Sequence, residues 1–206
     1  MNFYIENYKF RNYVFEGIFI TNNVLKKFGQ LNLSQITVGY CPLITKDCLQ
    51  YINGCDTFII NATFMVNDND LAHLTNCKKV IINYANSVTC NSLKNLEKCQ
   101  EISLYQQDSS IMNNDLLLLN NLCSLRVGRS KITNGNAQYL SSIKNLNFKC
   151  SKVTDENIQY FTKCCYLDLS YCGISGTTIH LLKNLHTVNL NYCKVTLSAE
   201  RQVGKE

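Results

Sequence analysis

The chain has 206 residues, of which 46% are hydrophobic and 17% charged, and its formal net charge is +5. This length and composition exclude an intrinsically disordered chain and leave room for one ordinary domain or one short repeat array. The basic residues are scattered and form no block, so the charge gives little support to a nucleic-acid-binding or membrane-binding class.

The N-terminal stretch is not typical of a secretory signal, because Glu6, Lys9, Arg11 and Glu16 interrupt its apolar residues. No segment approaches the ~18 uninterrupted apolar residues of a membrane-spanning helix. We therefore expect an intracellular protein, in the cytoplasm and with the nucleus left open, whose twelve cysteines are thiols. A secreted domain held by disulfides is the less favoured alternative.

A pattern of 21 to 23 residues repeats along nearly the whole chain. Its clearest copy, L-x-L-x-x-C-x-I-S, runs from Leu167 to Ser175. The spacings between unit starts are 22, 22, 22, 23, 21, 21 and 21 residues. A degenerate first copy surrounds Val14 to Thr21. The starts are Ile36, Phe58, Val80, Ile102, Leu125, Leu146, Leu167 and Val188. The length changes fall in the loop after the strand, where insertions are tolerated.

Each unit predicts one short strand followed by one short helix. Leu167 and Leu169 alternate with polar residues, which is typical of a strand with one buried face. This predicts that Leu167→Asp unfolds the array and that Asp168→Leu does not. Polar residues then stand where a helix N-cap belongs: Thr21, Thr45, Asn67, Thr89, Thr133, Thr154 and Ser175. Apolar pairs at helical spacing follow: Leu49/Ile52, Leu71/Leu74, Leu93/Leu96, Leu116/Leu119, Ala137/Leu140, Ile158/Phe161 and Ile179/Leu182.

This pattern resembles the leucine-rich repeat, and within it the cysteine-containing subtype found in F-box adaptors of ubiquitin ligases and in the antagonist-of-mitotic-exit family. The resemblance covers residues 12–196. It implies an α/β solenoid, a horseshoe of about eight units with a parallel concave sheet and short convex helices. We expect an atypical N-terminal capping segment at 1–33, the array at 34–196 and a short tail at 197–206. The chain lacks an F-box, since the residues before the first good unit are too few.

The register assigns most of the cysteines to packing positions. Cys41, Cys172 and Cys193 occupy a small inward position just after the strand, where a thiol acts as a small apolar group. A second column precedes the strands and alternates cysteine with leucine and isoleucine: Cys55, Cys77, Cys99, Leu122, Ile143, Cys164 and Leu185. Zinc sites usually contain paired C-x₂₋₄-C elements, which this chain lacks. We predict no metal and no cofactor, and a thiol-redox or metal-binding protein remains an alternative. Cys150, beside Lys149, is the best candidate for a reactive thiol.

The sequence offers no catalytic constellation. His73, His180 and His186 share no close column, and the nucleophile, phosphate-loop and zinc-protease motifs are missing. Glu101 and Asp168 stand three strands apart, roughly 14 Å at the usual strand spacing, which is too far for paired-carboxylate chemistry. We predict that the chain is not an enzyme.

The outward positions of the sheet predict a binding surface. Tyrosine and arginine are enriched at interface hot spots, since they combine contact area with directional polar groups. The predicted partner-binding residues are Tyr84, Tyr105, Arg126, Arg129, Lys149, Asp168, Tyr171 and Tyr192. A solvated sheet whose tyrosines reflect only strand propensity is the alternative interpretation.

The sequence therefore predicts a non-catalytic protein–protein interaction module. The resemblance implies a role related to ubiquitin ligases, in substrate recognition or antagonism. RNA or other nucleic acid on the same tyrosine, arginine and lysine face is the alternative and is disfavoured, and no membrane partner is expected. Because little chain follows Thr196, the last strand near Val188 should be an exposed edge through which copies could self-associate.

Overall fold

A computed structural model describes residues 10–31, 33–61, 66–83, 87–105, 118–129 and 134–196. In these ranges nine parallel strands form one sheet in strict chain order. The strands are β1 (Asn12–Glu16), β2 (Gln35–Gly39), β3 (Thr57–Asn61), β4 (Lys79–Asn83), β5 (Glu101–Tyr105), β6 (Ser124–Arg126), β7 (Asn145–Asn147), β8 (Tyr166–Asp168) and β9 (Thr187–Asn189). Parallel strands in chain order with a crossover between each pair make a solenoid, as predicted.

The pairing register confirms the repeat period. Ile36 pairs with Phe58 at one end of the array, and Leu167 pairs with Val188 at the other. The unit with the longest spacing keeps the register, because Ile102 still pairs with Leu125. The extra residue therefore does not disturb the pairing of β5 with β6.

In the degenerate first unit, aromatic residues occupy the inward positions of the strand. Tyr13 and Phe15 pair with Ile36 and Val38, which are core residues of β2. Val14 is consequently an outward residue and is 62% exposed. The rings of Tyr13 and Phe15 both pack against Phe28, with centroids 4.5 and 5.1 Å away. This aromatic cluster closes the core behind the first strand.

The helical segments are shorter than ordinary helices and are largely 3₁₀. The α-helices are α1 (Asn22–Gly29), α2 (Asp68–Leu71), α3 (Asn134–Ala137) and α4 (Asp155–Ile158). The 3₁₀ segments are Lys46–Tyr51, Ala72–Leu74, Cys90–Leu96, Gln138–Leu140 and Ile179–Leu181. The predicted apolar pairs within the described ranges are buried, so each segment closes one side of the core.

Most of the predicted N-caps in the described ranges are confirmed. Asn67 and Thr154 both form capping boxes, with Asp70 and Asn157 as their partners. The prediction for Ser175 is wrong. The last 3₁₀ segment starts later, with Thr178 as its N-cap, because the left-handed Gly176 (φ 85°) inserts a turn before it. Thr133 lies outside the described residues.

Neighbouring units are also tied together on the helical side. The Asp68 carboxylate accepts hydrogen bonds from the Thr89 amide, the Thr89 hydroxyl and the Ser92 hydroxyl at 2.6, 2.6 and 2.7 Å. Asp155 accepts from the Ser175 amide at 2.8 Å and from the hydroxyl of Thr178, the N-cap of the next helical segment, at 3.1 Å. Each carboxylate therefore fastens the helix start of its own unit to that of the next. Among the described residues, no helix is long and apolar enough to cross a membrane.

Candidate functional site

The candidate site lies on the outward face of the last four strands, which the horseshoe makes concave. We call it the concave patch and define it by the side chains of Arg126, Arg129, Lys149, Tyr166, Tyr171 and Tyr192. The register aligns Arg126 with Asn147, Asp168 and Asn189 in one outward row.

Local hydrogen bonds end these strands after three residues. The side-chain oxygens of Asn147, Asp168 and Asn189 each accept the backbone amide two residues ahead. The donors are the amides of Lys149, Ser170 and Asn191, at 3.2, 3.0 and 3.1 Å. A short polar side chain that bonds its own backbone in this way turns the chain out of the extended conformation. The residues after the turn are thereby presented at the rim of the sheet.

One position of this turn is left-handed in every described copy from β6 onward. The values of φ at Arg129, Cys150, Tyr171 and Tyr192 lie between 55 and 61°. Tyr40, in the equivalent place after β2, has φ 50°. A left-handed residue other than glycine costs about 1–2 kcal/mol. Interstrand hydrogen bonds hold the turns: the Arg129 amide donates to the Lys149 carbonyl, and the Tyr171 amide to the Asn191 carbonyl, both at 2.9 Å. The chain thus keeps large side chains in a row where glycine would be less strained.

The rim row carries a stacked aromatic pair with a cation on it. The rings of Tyr171 and Tyr192 are 4.4 Å apart between centroids and 14° from parallel. The Lys149 ammonium lies 5.5 Å from the centroid of the Tyr171 ring. Tyr171 is 48% exposed and Tyr192 77% exposed. Desolvation, followed by interactions with Tyr192, raises the pKa of Tyr171, so its phenol stays protonated at neutral pH.

A groove of about 300 Å³ adjoins this row on the outward face of β4 to β8. Arg126 and Tyr166 line it, together with Glu101, whose carboxylate lies 2.8 Å from the Lys79 ammonium. Its remaining lining residues are Ile81, Asn83, Ile102, Ser103, Ser124, Leu125, Asn145, Leu146 and Asn147. Arg126 forms no salt bridge with any described residue. Among its described lining residues, the groove therefore offers one cation without an ion pair, together with several side-chain amides and hydroxyls.

The structure places Asp168 differently from the sequence-based expectation. It stands in the outward row but is only 7% exposed. Its carboxylate accepts the Ser170 amide at 3.0 Å, the Ser170 hydroxyl at 2.7 Å and the Asn147 side-chain amide at 3.2 Å. Ser170 is 2% exposed. The expectation of solvent-facing side chains at these two positions is wrong, because the two side chains bond each other and Asn147 bonds the same carboxylate, which turns these polar groups away from solvent.

The other predicted residues separate into described and undescribed ones. Arg126, Arg129 and Lys149 are exposed, and the structure brings them to the same part of the sheet as Tyr171 and Tyr192. Tyr84 lies outside the described residues. Tyr105 is in β5, but the position of its side chain is not described. Partner binding by all of these residues stays a prediction.

Sequence reasoning expected Tyr166 to face outward, where a partner could lie, but did not include it among the predicted partner-binding residues. It is 39% exposed and lines the groove, one position before the first core residue of β8. The signal was available, because strict alternation makes the residue before Leu167 an outward one. Ser124 and Asn145 occupy the same row on β6 and β7.

The cysteine columns are packing columns, as predicted. Cys55, Cys77 and Cys99 are buried in successive units, and the Cys99 thiol donates to the Cys77 carbonyl at 3.0 Å. Burial raises the pKa of the Cys77 and Cys99 thiols to about 12. In the column just after the strands, the Cys172 thiol donates to the Phe148 carbonyl at 3.2 Å and thus bonds to the preceding unit.

The cysteines that the register left unassigned differ among themselves. Cys48 is fully buried, and burial raises the pKa of its thiol to about 12. Cys123 is exposed, whereas Cys150 and Cys165 are half-buried. The side chain of Cys90 is not described. In the part of the chain that the structure describes, no group of three or more histidine, cysteine or acidic side chains could hold a metal ion.

Comparison with known proteins shows the fold class alone. No protein-family model and no curated protein matches the chain. An internalin, InlF of Listeria monocytogenes strain 4b F2365, matches with a TM-score of 0.62 and 17% identity over 89% of this chain and 54% of its own. The Drosophila Toll–Spatzle complex gives 0.64 and 14% over 93% of this chain and 29% of its own. The TLR13–ssRNA13 complex gives 0.63 and 13% over 93% and 30%.

These matches confirm the leucine-rich-repeat part of the sequence resemblance. The functional domain of InlJ from Listeria monocytogenes, which includes a cysteine ladder, also matches, with a TM-score of 0.56 and 13% identity over 83% of this chain and 37% of its own. The narrower resemblance to F-box adaptors and to antagonists of mitotic exit finds no support among these structures. The chain spans about half the length of InlF and about a third of the others.

Proposed function

We propose that the chain is a non-catalytic protein-interaction module whose partner lies against the concave patch. The observation that carries the proposal is the exposed stack of Tyr171 on Tyr192, with the Lys149 ammonium next to the Tyr171 ring. Tyrosines and arginines concentrated on one partly desolvated face are typical of interface hot spots. The strained turns support it too, because the chain keeps large side chains there at a cost in stability.

The matching structures support binding as the general role. The Toll–Spatzle structure is a complex of a matching chain with a protein. The TLR13 structure is a complex with single-stranded RNA, which keeps nucleic acid as the second candidate. In this chain the Tyr171 ring already stacks on Tyr192 and has the Lys149 ammonium 5.5 Å from its centroid. Free ring faces are what bases stack on, so a protein partner is favoured.

The narrower proposal, that the partner belongs to the ubiquitin-ligase machinery, rests on the sequence resemblance alone. A cytoplasmic location is likewise a proposal that rests on the sequence alone. Self-association is a separate proposal. In the described part of the chain no strand pairs with β9 on its outer side, and Val188 and Leu190 behind it are only half-buried. Light scattering tests self-association. A molar mass that stays at the value of the monomer as the protein concentration rises would contradict it.

Affinity capture followed by mass spectrometry tests the main proposal. We expect Tyr171→Ser/Tyr192→Ser to lose the partners that the wild-type chain captures while keeping the same circular dichroism spectrum. Tyr40→Ser is the matched control, since Tyr40 is exposed and left-handed but stands six strands away, about 29 Å. Capture that is unchanged by the double substitution, with the fold intact, would contradict the proposal. Recovery of ubiquitin-ligase subunits with the wild type alone would support the narrower one.

A further inference from the structure

We infer that the partner segment bound by the concave patch is acidic, a stretch of polypeptide rich in aspartate and glutamate that places a carboxylate against Arg126 in the groove. This inference rests on the proposed function and names the chemistry of the partner.

The first argument is the imbalance of charge on the outward face. Arg126, Arg129 and Lys149 are exposed, and none of them forms a salt bridge with a described residue. The backbone hydrogen bond from the Arg129 amide to the Lys149 carbonyl keeps two of these cations on adjacent strands. Of the other exposed lysines of this half, Lys144, Lys163 and Lys183 lie in the turns before the strands, and Lys152 and Lys194 lie beyond the left-handed turns. Among the described residues, the unpaired cations on the outward face and at its rim therefore form one cluster.

The second argument is that the described acidic side chains on the outward face of these strands, Glu101 and Asp168, already have partners. The Glu101 carboxylate pairs with the Lys79 ammonium at 2.8 Å. Asp168 is buried, and its carboxylate accepts hydrogen bonds from Ser170 and Asn147. Neither acid pairs with Arg126, and no other described acidic side chain does, so within the described part of the chain that guanidinium has no carboxylate partner.

The third argument is the shape and chemistry of the groove. Its volume of about 300 Å³ accepts side chains of an extended segment, and Arg126 and Tyr166 line it together with serine and asparagine side chains. A guanidinium matches a carboxylate with two parallel hydrogen bonds, which gives it direction as well as charge. Arg129 and Lys149 continue the positive surface at the rim, where further acidic residues of the same segment would lie.

The test compares labelled probes by fluorescence anisotropy at about 50 mM salt, where exposed charges are weakly screened. The probes are a peptide of about 12 residues alternating glutamate and glycine, the same peptide with glutamine for glutamate, and a single-stranded oligouridine of similar charge. We expect the glutamate peptide to bind, the glutamine peptide not to bind, and the oligouridine to bind more weakly than the glutamate peptide.

Matched variants separate a local site from net charge. The Arg126→Glu/Arg129→Glu variant should bind the glutamate peptide at least about ten-fold more weakly than the wild type, because like charges then face each other. Lys163→Glu/Lys183→Glu makes the same change of net charge at the other end of the strands and should change affinity less than about two-fold. If the first variant misfolds, Arg126→Gln keeps the test valid with a smaller loss.

Three results would overturn the inference: equal binding of the glutamine peptide, equal weakening by the two charge variants, or tighter binding of the oligouridine. The proposed function fails separately. A protein that captures partners through Tyr171 and Tyr192 but ignores the acidic peptide refutes this inference alone.

Discussion

Replacing Asp168 by alanine should destabilise the array, although the residue stands on the outward face of the sheet. Its carboxylate is the acceptor for the Ser170 amide, the Ser170 hydroxyl and the Asn147 side-chain amide. Ser170 is 2% exposed, so water cannot readily replace the lost acceptor for its two donors. The sequence alone predicted that Asp168→Leu would be tolerated, and these hydrogen bonds reverse that expectation.

The expected loss follows from the two buried donors. Leaving a buried donor without an acceptor costs about 1–3 kcal/mol, whereas Asn147 is only half-buried and can turn to solvent. We therefore expect Asp168→Ala to lower the free energy of unfolding by about 2–4 kcal/mol. That is a large part of the 5–15 kcal/mol that is typical of a folded domain.

Urea unfolding at pH 7 with a reducing agent, followed by circular dichroism, measures this loss. Asn189→Ala is the matched control, since Asn189 holds the same row one strand further but accepts only the Asn191 amide, at 3.1 Å. Asn191 is exposed, so we expect the control to lose less than about 1 kcal/mol. Equal losses in the two variants would refute the argument that burial of the Ser170 donors sets the cost.

Three further predictions concern a core leucine, a left-handed cysteine and a carboxylate that links two units. Leu167→Asp should leave the chain unfolded by circular dichroism, because Leu167 is fully buried and an isolated buried charge is costly; a native spectrum would contradict this. Cys150→Val should lower the free energy of unfolding by about 1–2 kcal/mol, and Cys150→Asn should not, because a branched residue tolerates φ 60° worse than asparagine; equal urea midpoints would contradict it. Burial acts to raise the pKa of Asp68, but the hydrogen bonds from Thr89 and Ser92 outweigh it and lower that pKa. Asp68 therefore stabilises the fold above the unfolded-state pKa of about 3.9, and this contribution is lost as pH falls through the lower folded-state pKa. The difference in unfolding free energy between wild type and Asp68→Ala should accordingly hold from pH 7 to 5 and shrink below about 4; a constant difference would contradict it.

The fold could be predicted from the sequence because one physical requirement recurs in every unit. A single strand and helix cannot bury their apolar residues alone, so the spacing of residues such as Leu146 and Leu167 had to match the pairing register. The same logic identified Cys77 as a packing residue before its burial was known, since its column also contains leucine and isoleucine.

The candidate site could be predicted only in part. Alternation identified the outward positions, but it carries no information on which outward polar side chains bond each other, and so it could not show that Asp168 and Ser170 are buried. The left-handed turns were equally hidden, because residues such as Arg129 and Tyr171 are not the glycines that usually mark them. The Tyr171–Tyr192 stack depends on the left-handed turn in each unit and on the spacing between adjacent strands.

Site-specific photo-cross-linking tests the central claim, that the partner lies against the concave patch. A benzoylphenylalanine would replace Tyr171, Tyr192 or, as the control, Lys163, which is exposed in the turn before β8. We predict cross-links from positions 171 and 192 to a protein that the wild-type chain captures, and none from position 163. Cross-links from position 163 alone would contradict the account.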